Sequence, residues 1–197
     1  MKFEKTKTYE NLARSFAGEC QDHVRYKFIE YGARQQGYNA LSEVIDKIVF
    51  NEFNHARMFY TMLQKYCSSE IKNINVSAGF PFKEKWDLME NFKLAAEDEH
   101  LEAFEIYPEF LKTAREEGFE DIAKLYEDVI QVESCHEKQF LDLYNQMKTK
   151  SLYKKGKKVK WKCASCGYEA EGVQAWEKCP LCLAEQGFVM LKLNDGV

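Results

Sequence analysis

Residues 132–140 read VESCHEKQF and residues 50–59 read FNEFNHARMF. Each stretch sets a glutamate, and three residues later a histidine, inside a run that otherwise has the apolar spacing of a buried helix face. In the second stretch and its surroundings, Leu41, Ile45, Ile48, Glu52, His55, Phe59, Met62 and Tyr66 follow one another by steps of four and three. That is the seam a helix turns toward its neighbours in a bundle. Around the first stretch, Ile122, Val129, Val132, Glu133, His136, Phe140, Leu143 and Met147 form the same stripe, with Leu125 and Tyr126 filling the gap. Residues three apart on a helix lie about 60° apart around the axis and about 4.5 Å apart along it, so both side chains reach one point. A buried carboxylate without compensation costs several kcal/mol even after relaxation. Two such places in one core ask for positive charge between them.

Outward from these stretches, long runs of helix formers predict four helices. The first spans about 8–36 and ends at Gly37; the second spans about 39–67. A loop punctuated by Asn73, Asn75, Ser77, Gly79 and Pro81 follows. The third spans about 83–117 and stops at Gly118; the fourth spans about 120–148. Pro108 lies inside the third and should kink it or shift its local hydrogen bonding. On the first helix the stripe Tyr9, Leu12, Phe16, Glu19 and Tyr26 points Glu19 inward. On the third, Trp86, Met89, Phe92, Ala95, Glu99, Glu102, Ile106 and Phe110 do the same for Glu99 and Glu102. Glu19 precedes Glu52 by 33 residues and Glu99 precedes Glu133 by 34. Each half of the bundle is therefore a helix with an inward Glu followed by a helix with Glu-x-x-His. This is the ligand set of the ferritin-like dinuclear carboxylate bundles. Two divalent ions bring +4 against five carboxylates, counting Glu102, and oxygen ligands with imidazole suit iron or manganese.

Other polar residues have plainer readings. His23 follows Glu19 by four residues and reads as a surface or supporting histidine. His100 lies about 100° around the helix from Glu99, which removes it from the ligand set. Cys20, Cys67 and Cys135 read as small buried apolar residues.

Composition changes after residue 148. Seven lysines and a glycine fall between Lys148 and Lys160, and residues 149–160 read as a solvated, lysine-rich linker. Residues 161–197 form a glycine-dotted segment with Trp161, Tyr168, Trp176 and Phe188 around four cysteines. It reads as a small β-rich module too short to fold on apolar burial alone. Cys163, Cys166, Cys179 and Cys182 make two CxxC pairs twelve residues apart, a tetrathiolate site. On spacing alone, a structural zinc ribbon and a single redox iron both fit, and zinc ribbons are the commoner. The domain division expected is 1–148 for the bundle, 149–160 for the linker and 161–197 for the module.

The whole chain sets outer limits. It has 197 residues, 45% of them apolar, and a net charge of −4, a balance unlike the basic face nucleic acid requires. No signal peptide or membrane span is expected. Seven cysteines, four of them in CxxC pairs, favour metal over disulfides and a cytoplasmic address.

The two ExxH motifs, the stretch EHLEAFEIYPEF at residues 99–110, and the knuckles CxxCGY and CPxC together resemble the rubrerythrin family across nearly the full chain. The resemblance implies a mainly α fold, a ferritin-like four-helix bundle followed by a rubredoxin-like module. It implies a site of two irons bridged by Glu52 and Glu133, with Glu19 a terminal ligand of the first and Glu99 and His136 holding the second. The first iron would exchange His55 for Glu102 as its oxidation state changes. Tyr26 and Tyr107 would hydrogen-bond to ligands and orient them. Cys163, Cys166, Cys179 and Cys182 would hold one further iron, so the resemblance, not the spacing, chooses iron over zinc. The implied activity is that of an oxidoreductase, a peroxidase reducing hydrogen peroxide to water in oxidative-stress protection, with electrons relayed through the tetrathiolate iron. Head-to-tail homodimers are implied, as is an upstream donor such as rubredoxin or a flavin-dependent NAD(P)H reductase. Two other readings stand beside it: a ferroxidase or oxygen-reducing, iron-handling ferritin-like protein, and a non-enzymatic zinc-ribbon protein whose bundle binds another protein.

Overall fold

The computed structural model describes residues 2–67, 70–71, 73–75 and 87–193. Helix α1 spans Lys7–Gln35 and α2 spans Asn39–Tyr66; α3 (Leu88–Leu101), a π turn (Glu102–Ile106) and α4 (Tyr107–Glu116) form a third rod; α5 spans Glu120–Lys148. Four rods therefore stand where four helices were expected. The start expected near Lys83, and Trp86 with it, lies outside the described residues, as do Ser77, Gly79 and Pro81 of the loop.

Local chemistry sets the rod ends. The Thr6 hydroxyl accepts from Tyr9 N–H at 3.1 Å, and Asp87 accepts from Glu90 N–H at 3.0 Å, capping α1 and α3. Gly37 and Gly118 both take positive φ, +82° and +83°. After α1, Gly37 N–H donates to Arg34 O and Tyr38 N–H to Ala33 O; after α4, Gly118 N–H donates to Arg115 O and Phe119 N–H to Ala114 O. Both are the same six-residue stop, in which the left-handed residue is at no cost only as glycine. It folds α1 back on α2 and α4 back on α5, giving two antiparallel hairpins.

The expected disturbance at Pro108 takes the form of the π turn. Pro108 has no N–H to donate and its ring would strike the carbonyl four residues back. The chain widens ahead of it, and Tyr107 N–H donates to Glu102 O, five residues back. The expected third-rod stripe is corrected at two points. Met89 and Ile106 are exposed at 39% and 38%, while Leu88, Phe92, Ala95, Ala96, Glu99, Ala103 and Tyr107 are buried. The wide turn carries the inward face from Ala103 to Tyr107, leaving Ile106 outside.

The bundle interior is two dry clusters with a polar layer between. One holds Tyr26, Ile29, Leu41, Ile45, Ile48, Phe92, Phe140 and Leu143. The other holds Leu12, Phe59, Tyr107, Ile122, Tyr126 and Val129. Cys20 and Cys135 are exposed and Cys67 is half-buried, so the expectation that all three are buried is corrected. Cys20 and Cys135 sit beside the inward stripes of their helices rather than on them, and Cys67 lies just past the end of α2, packed in part against the core.

The lysine-rich segment is also corrected. Most of it is strand β1 (Lys154–Lys162), paired antiparallel with β2 (Glu169–Gln174), with a bulge between Lys154 and Val159. Val159 and Trp161 alternate with lysines, and Trp161 is buried with Ala175 and Val189. The lysine side chains stay in water while the backbone they sit on builds the module. The module rests on its own bundle. A Cβ at Gly187 would lie 1.7 Å from Gly37 O, Gln146 Nε2 donates to Lys192 O at 3.1 Å, and Lys155 Nζ donates to Gln146 Oε1 at 2.6 Å. Among the described residues no helix is long and apolar enough to cross a membrane.

Candidate metal centres

The polar layer is built by all four rods. Glu19 from α1, Glu52 and His55 from α2, and Glu133 from α5 bring ligand atoms within 4.8 Å of one another; Glu52, Glu99 from α3, Glu133 and His136 from α5 do the same. All six residues are buried. Glu52 and Glu133 belong to both groups, and their oxygens divide between them. Glu52 Oε2 and Glu133 Oε1 lie 2.9 Å from His55 Nδ1, while Glu52 Oε1 and Glu133 Oε2 lie 2.9 Å and 3.0 Å from His136 Nδ1. Glu19 Oε2 is 3.4 Å from His55 Nδ1 and Glu99 Oε1 is 3.7 Å from His136 Nδ1.

Buried polar atoms in proteins nearly always have hydrogen-bond partners. Here Glu19 Oε2, Glu52 Oε1, Glu99 Oε2, both Glu133 oxygens and His136 Nδ1 are buried and, despite the close approaches to imidazole nitrogen, none of them makes a hydrogen bond. Such a set, all oxygen and imidazole nitrogen, fits hard or intermediate divalent ions. Without ions the acids crowd one another. Burial first, then the charge of Glu133, pushes Glu19 up to about 8. Burial and the charge of Glu52 raise Glu99 well above the carboxylate range. Burial acts on Glu52 as well, but the imidazoles of His136 and His55 outweigh it and pull it down to about 2. Burial alone would lower both histidines, yet their carboxylate neighbours, Glu133 first for His55 and Glu52 first for His136, raise them.

Glu102 stands apart from both groups. It is half-buried, 3.2 Å from the Tyr107 hydroxyl, with its Oε1 3.6 Å from where a Cβ on Gly18 would lie. Tyr107 also donates to Glu19 Oε1 at 2.5 Å. Tyr26 is fully buried, its hydroxyl has no hydrogen-bond partner, and burial and the charge of Glu99 raise its pKa. His23 turns Nδ1 to Val49 O at 2.9 Å, and His100 is exposed beside Glu137 at 2.8 Å, as expected of residues outside the ligand set.

The second centre is the cysteine group. The Sγ atoms of Cys163 and Cys182 are 3.8 Å apart and those of Cys166 and Cys179 are 3.6 Å apart, contacts without a covalent bond. Two knuckle turns point them at one spot. Gly167 has φ +77° and donates to Cys163 O, while Leu183 has φ +62° and donates to Cys179 O. Burial raises the Cys179 thiol, but the backbone N–H groups of Cys182 and Leu181 outweigh it and hold it at about 7.

Three features escaped the sequence reading. Asn51 sets its side-chain amide 3.1 Å from His136 Nε2. Buried Asp22 pairs with Arg25, which reaches Asp98 on α3 at 2.5 Å and ties the first and third rods beside the site. The Gly187–Gly37 contact seats the module. Asn51 alone had a signal in the sequence, as the polar residue directly before an inward Glu.

A four-rod bundle with a shared pair of bridging-spaced carboxylates, one further acid and one histidine per side defines the ferritin-like dinuclear carboxylate proteins. The comparisons with known proteins narrow this. The rubrerythrin family model matches residues 10–144, and the model of the rubredoxin-like domain of rubrerythrin matches residues 161–188. A rubrerythrin of Clostridium perfringens is 39% identical over 183 residues, covering 93% of each chain. One from Nitratidesulfovibrio vulgaris is 33% identical over 190 residues, covering 96% of each. The solved structure of nigerythrin in a partially reduced state superposes with a TM-score of 0.62 at 25% identity, covering 95% of this chain and 90% of that one. The chain belongs to the rubrerythrin family. It accordingly has a diiron site in the Glu/His cluster and a single iron in the rubredoxin-like module, as a diiron oxidative-stress protein.

Proposed function

We propose that this protein is a peroxidase, reducing hydrogen peroxide to water, with electrons entering the diiron site by way of the tetrathiolate iron. The observation that carries the reading is the pairing, in one chain, of a buried layer of carboxylate oxygens that lack hydrogen bonds with a tetrathiolate site. Glu52 and Glu133 would serve both irons, with Glu19 and His55 completing one position and Glu99 and His136 the other. Cys163, Cys166, Cys179 and Cys182 hold the single iron. When bound, two irons supply one electron each to an O–O bond.

The chain's own groups surround that chemistry. The dry clusters above and below the layer exclude water from it. Tyr107 donates its single proton to Glu19, and the same oxygen stands 3.2 Å from Glu102. Burial raises the Glu102 carboxyl well above the carboxylate range, so that it can donate in return; one hydroxyl thus keeps a terminal ligand in place and a spare acid in reserve. Glu102 would be the arm available to take the place of His55 on an ion of higher charge there, since an anionic oxygen favours such an ion more than a neutral imidazole does. Tyr26, with its hydroxyl partnerless near Glu99, serves the other side.

Electron supply favours a second copy of the chain. The module rests on the turn at Gly37, and α2 runs from Tyr38 to Glu52 at 1.5 Å per residue, about 21 Å. A module at that end is remote from its own diiron layer. Residues 149–197 carry nine lysines and five acids, a net of +4, so residues 1–148 carry −8 of the total of −4. A basic module and an acidic bundle complement one another in a head-to-tail homodimer. A rubredoxin or an NAD(P)H-dependent flavin reductase upstream and a cytoplasmic setting complete this reading.

The test is anaerobic reduction followed by titration with peroxide, watching both iron chromophores. Stoichiometric reoxidation by peroxide, much faster than by oxygen, is the expected result. Faster reoxidation by oxygen, or by oxygen alone, would replace the peroxidase with the ferroxidase reading.

A further inference from the structure

The two ExxH helices are related by an internal step. Eighty-one residues separate Glu52 from Glu133 and His55 from His136, and the same step carries Asn51 onto Val132. The two histidines thus meet the carboxylates in the same way and their surroundings in different ways. Both present Nδ1 to the shared pair Glu52 and Glu133. His136 turns its far nitrogen, Nε2, to the Asn51 amide at 3.1 Å. For His55 no hydrogen bond at Nε2 is recorded among the described residues, and the position that would supply the matching amide holds Val132.

A histidine that binds a metal through Nδ1 keeps its ring proton on Nε2, and that N–H needs an acceptor. The Asn51 side chain has no other recorded hydrogen bond. A half-turn of its amide exchanges the nitrogen and oxygen ends and presents Oδ1 to the ring. We infer that Asn51 is the positioning residue for His136, accepting from Nε2–H and so fixing both tautomer and ring angle, and that the lack of a counterpart at Val132 makes His55 the less firmly held of the two. The inference rests on the metal-site reading above. It gives that reading an internal cause for its asymmetry: the tethered histidine stays, and the untethered one can yield to Glu102. Asn51 also lines an open groove of about 700 Å3 with Lys47, Phe50, Gln139 and Leu193. Water from the groove could stand in for a truncated side chain, so the informative replacement is valine, the residue found at the equivalent position.

The experiment uses the full chain, its cysteine site first filled with one equivalent of zinc, then titrated anaerobically with Co(II) and followed by ligand-field absorption. Wild type should take up two cobalt ions in the bundle. Asn51→Val should weaken one of the two by about 10–100-fold and leave the other unchanged. Asn51→Asp, which keeps an acceptor, should hold wild-type affinity or better. In 15N-histidine-labelled protein the His136 Nε2–H should exchange slowly in wild type and Asn51→Asp and rapidly in Asn51→Val. Val132→Asn should bring the same protection to His55. Wild-type affinities and unchanged His136 exchange in Asn51→Val would overturn the inference while leaving the metal site standing. Should Asn51→Val lose its helical circular dichroism, a tenfold or greater weakening in Asn51→Asp would overturn it instead. Failure of wild type to bind a cobalt pair would remove the metal-site reading, and this inference with it.

Discussion

The α1–α2 hairpin and the α3–α5 hairpin are near-copies. Gly37 and Gly118, Tyr26 and Tyr107, Glu52 and Glu133, and His55 and His136 all stand 81 residues apart, but Glu19 and Glu99 stand 80 apart. The second hairpin therefore has one residue more between its first acid and its turn. The π turn at Glu102–Ile106 holds that residue, since a single π turn absorbs one extra position in a helix. The repeat creates two equivalent metal positions; the surplus residue, the spare acid Glu102 and the unmatched Asn51 make them different. Ligand pairing comes from the copy, and the structural asymmetry between the two positions from the departures.

The strongest way to break the comparison is to remove what the halves share. Glu52→Ala takes one oxygen from each metal position at once, so diiron loading is expected to be lost altogether while the tetrathiolate chromophore persists. Iron stoichiometry and the visible spectrum check this, and a bundle still holding two irons would refute the bridging role.

Next in size is the difference between the two glycine turns. Their φ angles agree, but only Gly37 bears the module, against Gly187. Gly187→Ala puts a methyl into backbone, a contact that cannot be relieved by a side-chain rotation. Both iron chromophores should remain, the module should tumble independently by NMR relaxation, and peroxide turnover should fall at least tenfold. Unchanged relaxation would mean the module is held elsewhere.

A smaller effect tests the shared burial of acids. In metal-free protein Glu19 is raised from 4.5 to about 8, so the native state holds its proton more tightly than the unfolded chain. The stability this gives is full below about 4.5 and is lost as pH rises to about 8. The raised histidines add loss in the same direction above 6.5, and Glu52, lowered to about 2, costs stability only below 4.5. Denaturant melts of metal-free protein should thus weaken from about pH 5 to about pH 8. Metal-loaded protein should strengthen, because its ligands must lose protons to bind. A metal-free protein that gains stability over this window would contradict the assignment.

The finest test separates the tyrosines. Tyr107 has two carboxylate partners and Tyr26 none among the described residues. Tyr107→Phe should cost the metal-free protein about 1–3 kcal/mol, the range for two hydrogen bonds shared with carboxyl groups that burial keeps protonated at neutral pH, and Tyr26→Phe less than about 1 kcal/mol. Equal losses in urea melts would show that the asymmetry does not extend to these hydroxyls.

Much of this was legible in the residues alone. The two ExxH pairs, the inward Glu19 and Glu99 and the terminating glycines announce themselves because a carboxylate on an apolar stripe is costly and glycine after a helix is specific. The spacings of 33 and 34 residues already contained the surplus position, but only the backbone shows where it is absorbed. Ile106 was misplaced because a regular helical period was carried through that widened turn, and Met89 because the step of four from Phe92 to Leu88, not the step of three to Met89, is the buried one at the start of α3. The lysines of 154–162 masked a strand because charge count outweighed the alternation of Val159 and Trp161. Gly187 acts across a long sequence separation, where local pattern has no reach, and the place of Asn51 before an inward Glu does not by itself name His136, 85 residues on, as its partner.

The widened turn fixes the reading frame of the second hairpin. Everything after it, from Gly118 through Glu133 to His136, falls back into step with the first hairpin, and everything before it is offset by one. A single-residue insertion or deletion within the third rod is therefore not neutral even on its wet face. It must be taken up at the same place, or the acid from that rod slides out of phase with its partners by a quarter-turn of helix and more.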